Sequence, residues 1–106
     1  MQAPGARQPL TPYLVELVPP VGGLEGIQAL AARARRASDE LRNEGVGVRF
    51  LRSVFVPEEG QCFLLFAGDS TEAVEEATRR AEVAVGLLSQ AIGLRPEDRD
   101  EAEAEP

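Results

Sequence analysis

The segment Gln61-Cys62-Phe63-Leu64-Leu65-Phe66-Ala67 is apolar on both faces of a strand, and it limits the possible folds of this chain more than any other feature. Strand alternation puts Cys62, Leu64 and Phe66 on one side and Phe63, Leu65 and Ala67 on the other. An antiparallel sheet ordinarily turns one face to water, so a strand with two apolar faces needs two covers. Helices of the same chain can supply one cover, and a partner subunit is expected to supply the other.

With 106 residues and an apolar fraction of 43%, the chain suits one compact domain with one core. Four Phe, one Tyr and no Trp leave that core mainly to Leu, Val, Ile and Ala. Such an interior is modest, and burial in a dimer would extend it. The net charge is −7, and residues 95–106 carry six acidic residues against Arg95 and Arg99. An acidic chain without a basic stripe repels phosphate backbones and anionic headgroups, so neither nucleic acid nor a membrane is an expected partner. All 11 basic residues are arginine, which reads as codon composition rather than as dedicated anion recognition. A lone cysteine forms no intrachain disulfide, residues 1–11 lack the apolar run of a signal peptide, and no stretch approaches the roughly 20 apolar residues that span a bilayer. A cytoplasmic location is the expectation.

Residues 1–11 read as a loose arm, 12–94 as the folded domain and 95–106 as a disordered acidic tail. Pro12 to Val18 is a strand stopped by Pro19-Pro20. From Leu24 to Asn43, Ile27, Leu30, Ala31, Ala34, Ala37 and Leu41 recur at helical spacing, and Gly45 supplies the stop. Val46 to Val56 has strand chemistry, with Val48, Phe50, Arg52 and Val54 expected on one face and Arg49, Leu51, Ser53 and Phe55 on the other. Pro57-Glu58-Glu59-Gly60 then turns the chain into the strand at 61–67. Asp69 or Ser70 caps a helix with Ala73, Val74, Ala77 and Ala81 on its buried stripe, ending near Arg80. After a turn, a last strand is expected at about 88–94. The order strand, helix, strand, strand, helix, strand predicts an α+β fold of ferredoxin-like βαββαβ type, a four-stranded antiparallel sheet with both helices on one face. Face-to-face pairing of two such sheets, as in dimeric α/β-barrels, would cover the other face.

Histidine is absent, which removes His-based acid–base catalysis, Ser/His/Asp triads and His metal sites. Gly22, Gly23 and Gly26 lack the spacing of a phosphate-cradling loop. The candidate ligand-binding residues that remain are Tyr13, Glu16, Arg49, Arg52 and Cys62. Glu16, Arg49 and Arg52 are charges within otherwise apolar strands and suggest a buried ion pair or a carboxylate-binding group. Tyr13 could donate a hydrogen bond into a cavity, and Cys62 is a soft ligand or nucleophile if it is not a small core residue.

The stretch Val48-Arg49-Phe50-Leu51-Arg52-Ser53-Val54-Phe55-Val56-Pro57-Glu58-Glu59-Gly60-Gln61-Cys62-Phe63 resembles the central motif of a family of small bacterial proteins of unassigned function. Tyr13-Leu14-Val15-Glu16 and Thr71-Glu72-Ala73-Val74-Glu75-Glu76-Ala77-Thr78-Arg79-Arg80-Ala81 are similar to its opening strand and its second helix. The resemblance implies a ferredoxin-like fold and a dimer. One branch of the family binds nickel through histidines, which this chain lacks. Cys62, at the family's cysteine position, is the one candidate metal ligand carried over.

Three functional readings follow. The first is a non-catalytic homodimeric module that binds a small ligand, with no cofactor expected. The second is a cofactor-independent enzyme of the dimeric α/β-barrel type, such as a monooxygenase or cyclase, which requires a cavity holding at least two of the five candidate residues. The third is metal binding through Cys62.

Overall fold

The computed structural model describes residues 10–19 and 22–91. The elements run β1 (Thr11–Leu17), α1 (Gly23–Asn43), β2 (Val48–Val56), β3 (Gln61–Gly68), α2 (Thr71–Arg80) and β4 (Val85–Gln90). Every strand pairing is antiparallel, and the sheet order is β2-β3-β1-β4. This is the ferredoxin-like α+β fold expected from the sequence. The two crossovers carry α1 and α2 over the same face.

Local chemistry sets the helix limits. Gly45, at φ +92°, takes the left-handed position after α1, while Val46 N–H donates to the Leu41 carbonyl and Gly45 N–H to that of Arg42. That pair of bonds satisfies carbonyls the helix would otherwise leave open. The end of α2 repeats the pattern through Val83 N–H to Thr78 and Glu82 N–H to Arg79, but here the left-handed residue is Glu82, at φ +59°. At its start, Ser70 Oγ accepts the Ala73 N–H at 3.1 Å. Asp69 is engaged elsewhere: its carboxylate accepts the Gly47 N–H, and its own N–H donates to the Gly47 carbonyl.

Cross-strand rows place the core. On the helix-covered face Phe50, Phe66 and Tyr13 form one row, and Ser53, Leu64, Val15 and Leu88 form the next. Phe50 and Phe66 meet edge to face with centroids 5.5 Å apart, a favoured aromatic geometry. Ile27, Ala34, Ala37, Ser38 and Leu41 of α1 and Ala73, Val74, Ala77 and Thr78 of α2 close over them. The small helix residues allow close approach to the sheet. At Gly68 a Cβ would lie 2.8 Å from Val74 Cγ2, so α2 could not sit so near the end of β3 with any other residue there.

Two expectations need correction. A bulge between Phe50 and Arg52 inserts one unpaired residue in β2 and reverses the alternation beyond it. Val48, Phe50, Ser53 and Phe55 therefore share the helix side, while Arg49, Arg52 and Val54 share the opposite one. The last strand begins at Val85 rather than near residue 88, because the turn that ends α2 delivers the chain to β1 at once, where Val18 N–H donates to the Ala84 carbonyl. Residues 92–94 lie outside the described residues, as do nearly all of the arm and the whole acidic tail.

Candidate functional site

The bulge and the sheet order compose the face that the helices leave bare. Arg52, Leu65, Leu14 and Ser89 form one row across the four strands, Val54, Phe63, Glu16 and Leu87 the next, and Arg49, Ala67 and Pro12 a third. Leu14, Val54 and Leu87 are exposed at 36%, 40% and 58%. Phe63, Leu65 and Ala67 are half-buried by their neighbours alone. Glu16 stands among apolar groups, and its carboxylate accepts a 3.3 Å bond from Gln61 Nε2. Among the described residues it pairs with neither Arg49 nor Arg52, so the expected ion pair is not formed within one chain.

The five candidate residues do not converge. Glu16, Arg49 and Arg52 belong to the open face, whereas Tyr13 and Cys62 lie beneath the helices. Glu16 is thus on the side of the sheet opposite Cys62. Of three surface concavities, about 290, 320 and 510 Å³ in volume, Arg49 lines two, and none of the other four candidates lines any. The condition set for the enzyme reading, two of these residues in one cavity, is not met by these concavities.

Cys62 is 1% exposed in the core beside Leu64. Burial pushes its thiol pKa up, away from the thiolate that metals and electrophiles require. Among the described residues, no group of three His, Cys, Asp or Glu is arranged to hold a metal ion. A thiol reagent is therefore expected to label native protein about 10³-fold or more slowly than denatured protein, because reaction waits on unfolding. Rapid labelling of the native state would restore Cys62 as an accessible ligand.

Charge on the helix layer is organised around Arg80. Its guanidinium grips Glu44 with paired bonds of 2.8 and 2.9 Å and donates to Glu76 at 2.8 Å, joining α2 to the end of α1. The bond from Arg80 holds the Glu44 carboxyl below the usual carboxylate range, and bonds from Arg79 and then Arg80 do the same for Glu76. Because both folded-state values are depressed, the linked stability is complete above the ordinary carboxylate range and falls away as pH drops through the folded values. The loss of stability on acidification should accordingly be smaller in Arg80→Gln than in the parent. Urea midpoints measured across a pH series test this, and identical acid limbs would refute it.

A second arginine group was not apparent in the sequence. Arg35, Asp39 and Arg42 lie along one side of α1 at spacings of four and three, and they border the 290 Å³ concavity with Arg49 and Phe50 of β2. The Arg35 guanidinium lies over the Phe50 ring, 5.4 Å from its centroid. Arg42 donates to the Val48 carbonyl at 3.0 Å and pairs with Asp39. The spacing on α1 is readable in the sequence, but its meeting with β2 requires the fold.

No helix among the described residues is long and apolar enough to cross a membrane. No known protein family, curated protein or solved structure matches the chain.

Proposed function

We propose that the protein is a non-catalytic, homodimeric small-ligand-binding module, whose subunits associate through their open sheet faces in the manner of dimeric α/β-barrels. The observation that carries this reading is the open face itself, with Leu14, Val54, Phe63, Leu65 and Leu87 clustered on it. Four strands at about 4.8 Å spacing and roughly 23 Å length give a plan area on the order of 400 Å². The apolar groups share that area with Arg52, Glu16 and Ser89, and the largest apolar patch of a small protein is often a functional surface.

A second copy of the chain suits this face better than an acidic or a basic partner, because the face carries both signs of charge. Arg52 stands on its β2 side, and Glu16 lies two strands away. A two-fold axis offers each copy's arginine side to the other copy's glutamate side and repeats every favourable pairing twice. Glu16 thereby gains a cationic partner, which it does not have among the described residues. β4, paired only with β1 and largely exposed, gains a cover at the same time.

Light scattering on the purified protein at micromolar concentration tests the association, with twice the chain mass expected. A monomer mass throughout that range would remove it.

A further inference from the structure

We infer that the concavity bounded by Arg35, Arg42 and Arg49 at the β2 edge is a binding site for a small multivalent anion bearing phosphate or carboxylate groups. The inference rests on the ligand-binding reading above and gives it a place and a ligand class.

Arg35, Arg42 and Arg49, with Asp39, line an open concavity of about 290 Å³, close to the size of a small-molecule site. Asp39 is engaged by Arg42, which leaves a net positive charge on a chain whose total is −7. Among the described residues, neither Arg35 nor Arg49 forms an ion pair, a state they share with Arg33, Arg36 and Arg52, but these two also line one concavity with Arg42. Like charges gathered without compensation are unfavourable unless an anion joins them.

The groups are also held in position for one. The Arg35 guanidinium lies over the Phe50 ring, 5.4 Å from its centroid, a cation–π contact that places its charge at the concavity. Arg42 is fixed by the Val48 carbonyl and Asp39. Arg49 belongs to the edge strand β2 and lines the same concavity as Arg35 and Arg42. A second hollow of about 510 Å³ shares Arg42 and Arg49 and gives a larger anion room to extend. Planar donor forks of this kind match the oxygens of phosphate and carboxylate.

The test is calorimetric titration of the full chain with inorganic pyrophosphate and, separately, citrate, which distinguishes a phosphate from a carboxylate preference. Saturable binding of at least one probe is expected. Arg35→Gln and Arg49→Gln should each weaken it about tenfold or more, the loss of a charge-assisted bond, while Arg36→Gln, an exposed position on α1, should leave it unchanged. Absence of saturable binding at millimolar probe, or equal weakening by all three substitutions, overturns the site. Light scattering on the same samples keeps the two readings separate. A dimer that binds no anion rejects this site alone, and a monomer that binds one rejects the association alone.

Discussion

Leu14→Glu is expected to yield a folded monomer. Leu14 lies in the middle of the open face, between Leu65 on β3 and Ser89 on β4, and in a single chain it is exposed enough to solvate a carboxylate. In the proposed dimer the same carboxylate would be buried against apolar groups, at a cost of several kcal/mol, and a two-fold would impose that cost twice. Dissociation should be favoured by at least about 10³-fold. Leu24→Glu is the matched control. Leu24 is 67% exposed but belongs to α1, and its replacement should leave the dimer intact. Light scattering gives the mass, and circular dichroism establishes that both variants keep the fold. Dimers of equal strength in both variants would place the contact elsewhere on the molecule.

Phe66→Ala should lower folding stability by about 3–5 kcal/mol, much of what a domain this small possesses. The Phe66 side chain is fully buried, faces Phe50 edge-on, and lies in a row with Tyr13. Its neighbours come from two other strands and cannot all close on the void. The adjacent Leu65→Ala reads the opposite face of the same strand. It should lose far less folding stability, because Leu65 is half-buried in the single chain, and it should weaken association instead. Denaturant midpoints at several protein concentrations separate the two effects. Similar, concentration-independent losses at both positions would refute the two-cover account of β3.

The two apolar faces of β3 were readable in the sequence because β3 is a central strand, flanked by β2 and β1, and alternation continues unbroken along it. The helices were equally readable: Ile27, Ala34, Ala37 and Leu41 repeat at the helical period, and Ser70 and Gly45 punctuate the ends. Ser38 escaped notice because a serine on a stripe of alanines carries no apolar signal. It is buried all the same, and its hydroxyl has no protein partner. The faces of β2 were misread for a different reason. A bulge is an event in the hydrogen-bond ladder, and Leu51 is as good a strand residue as its neighbours.

The start of the last strand is not legible in the sequence because Gly86 carries no strand signal. In the fold it passes close to the backbone of β1, where a Cβ would lie 3.3 Å from the Glu16 carbonyl. As for the candidate site, Arg49 alone was singled out in the sequence and also lines a concavity. Arg35 joins it only because α1 crosses β2, bringing together groups that are 14 positions apart along the chain.

The extra residue in β2 also bears on how such a chain can change over generations. Arg49 and Arg52 are an odd number of positions apart, and on an unbroken strand they would point to opposite sides. Both reach the open face because the chain is one residue longer than its partner between Phe50 and Arg52. Deleting a single codon there would alter no charged residue and leave the net charge at −7. It would also take out the unpaired residue, leaving Arg49 and Arg52 two positions apart and Arg52, Ser53, Val54 and Phe55 on their present faces, so the bulge is a point where this strand can change length without exchanging its faces.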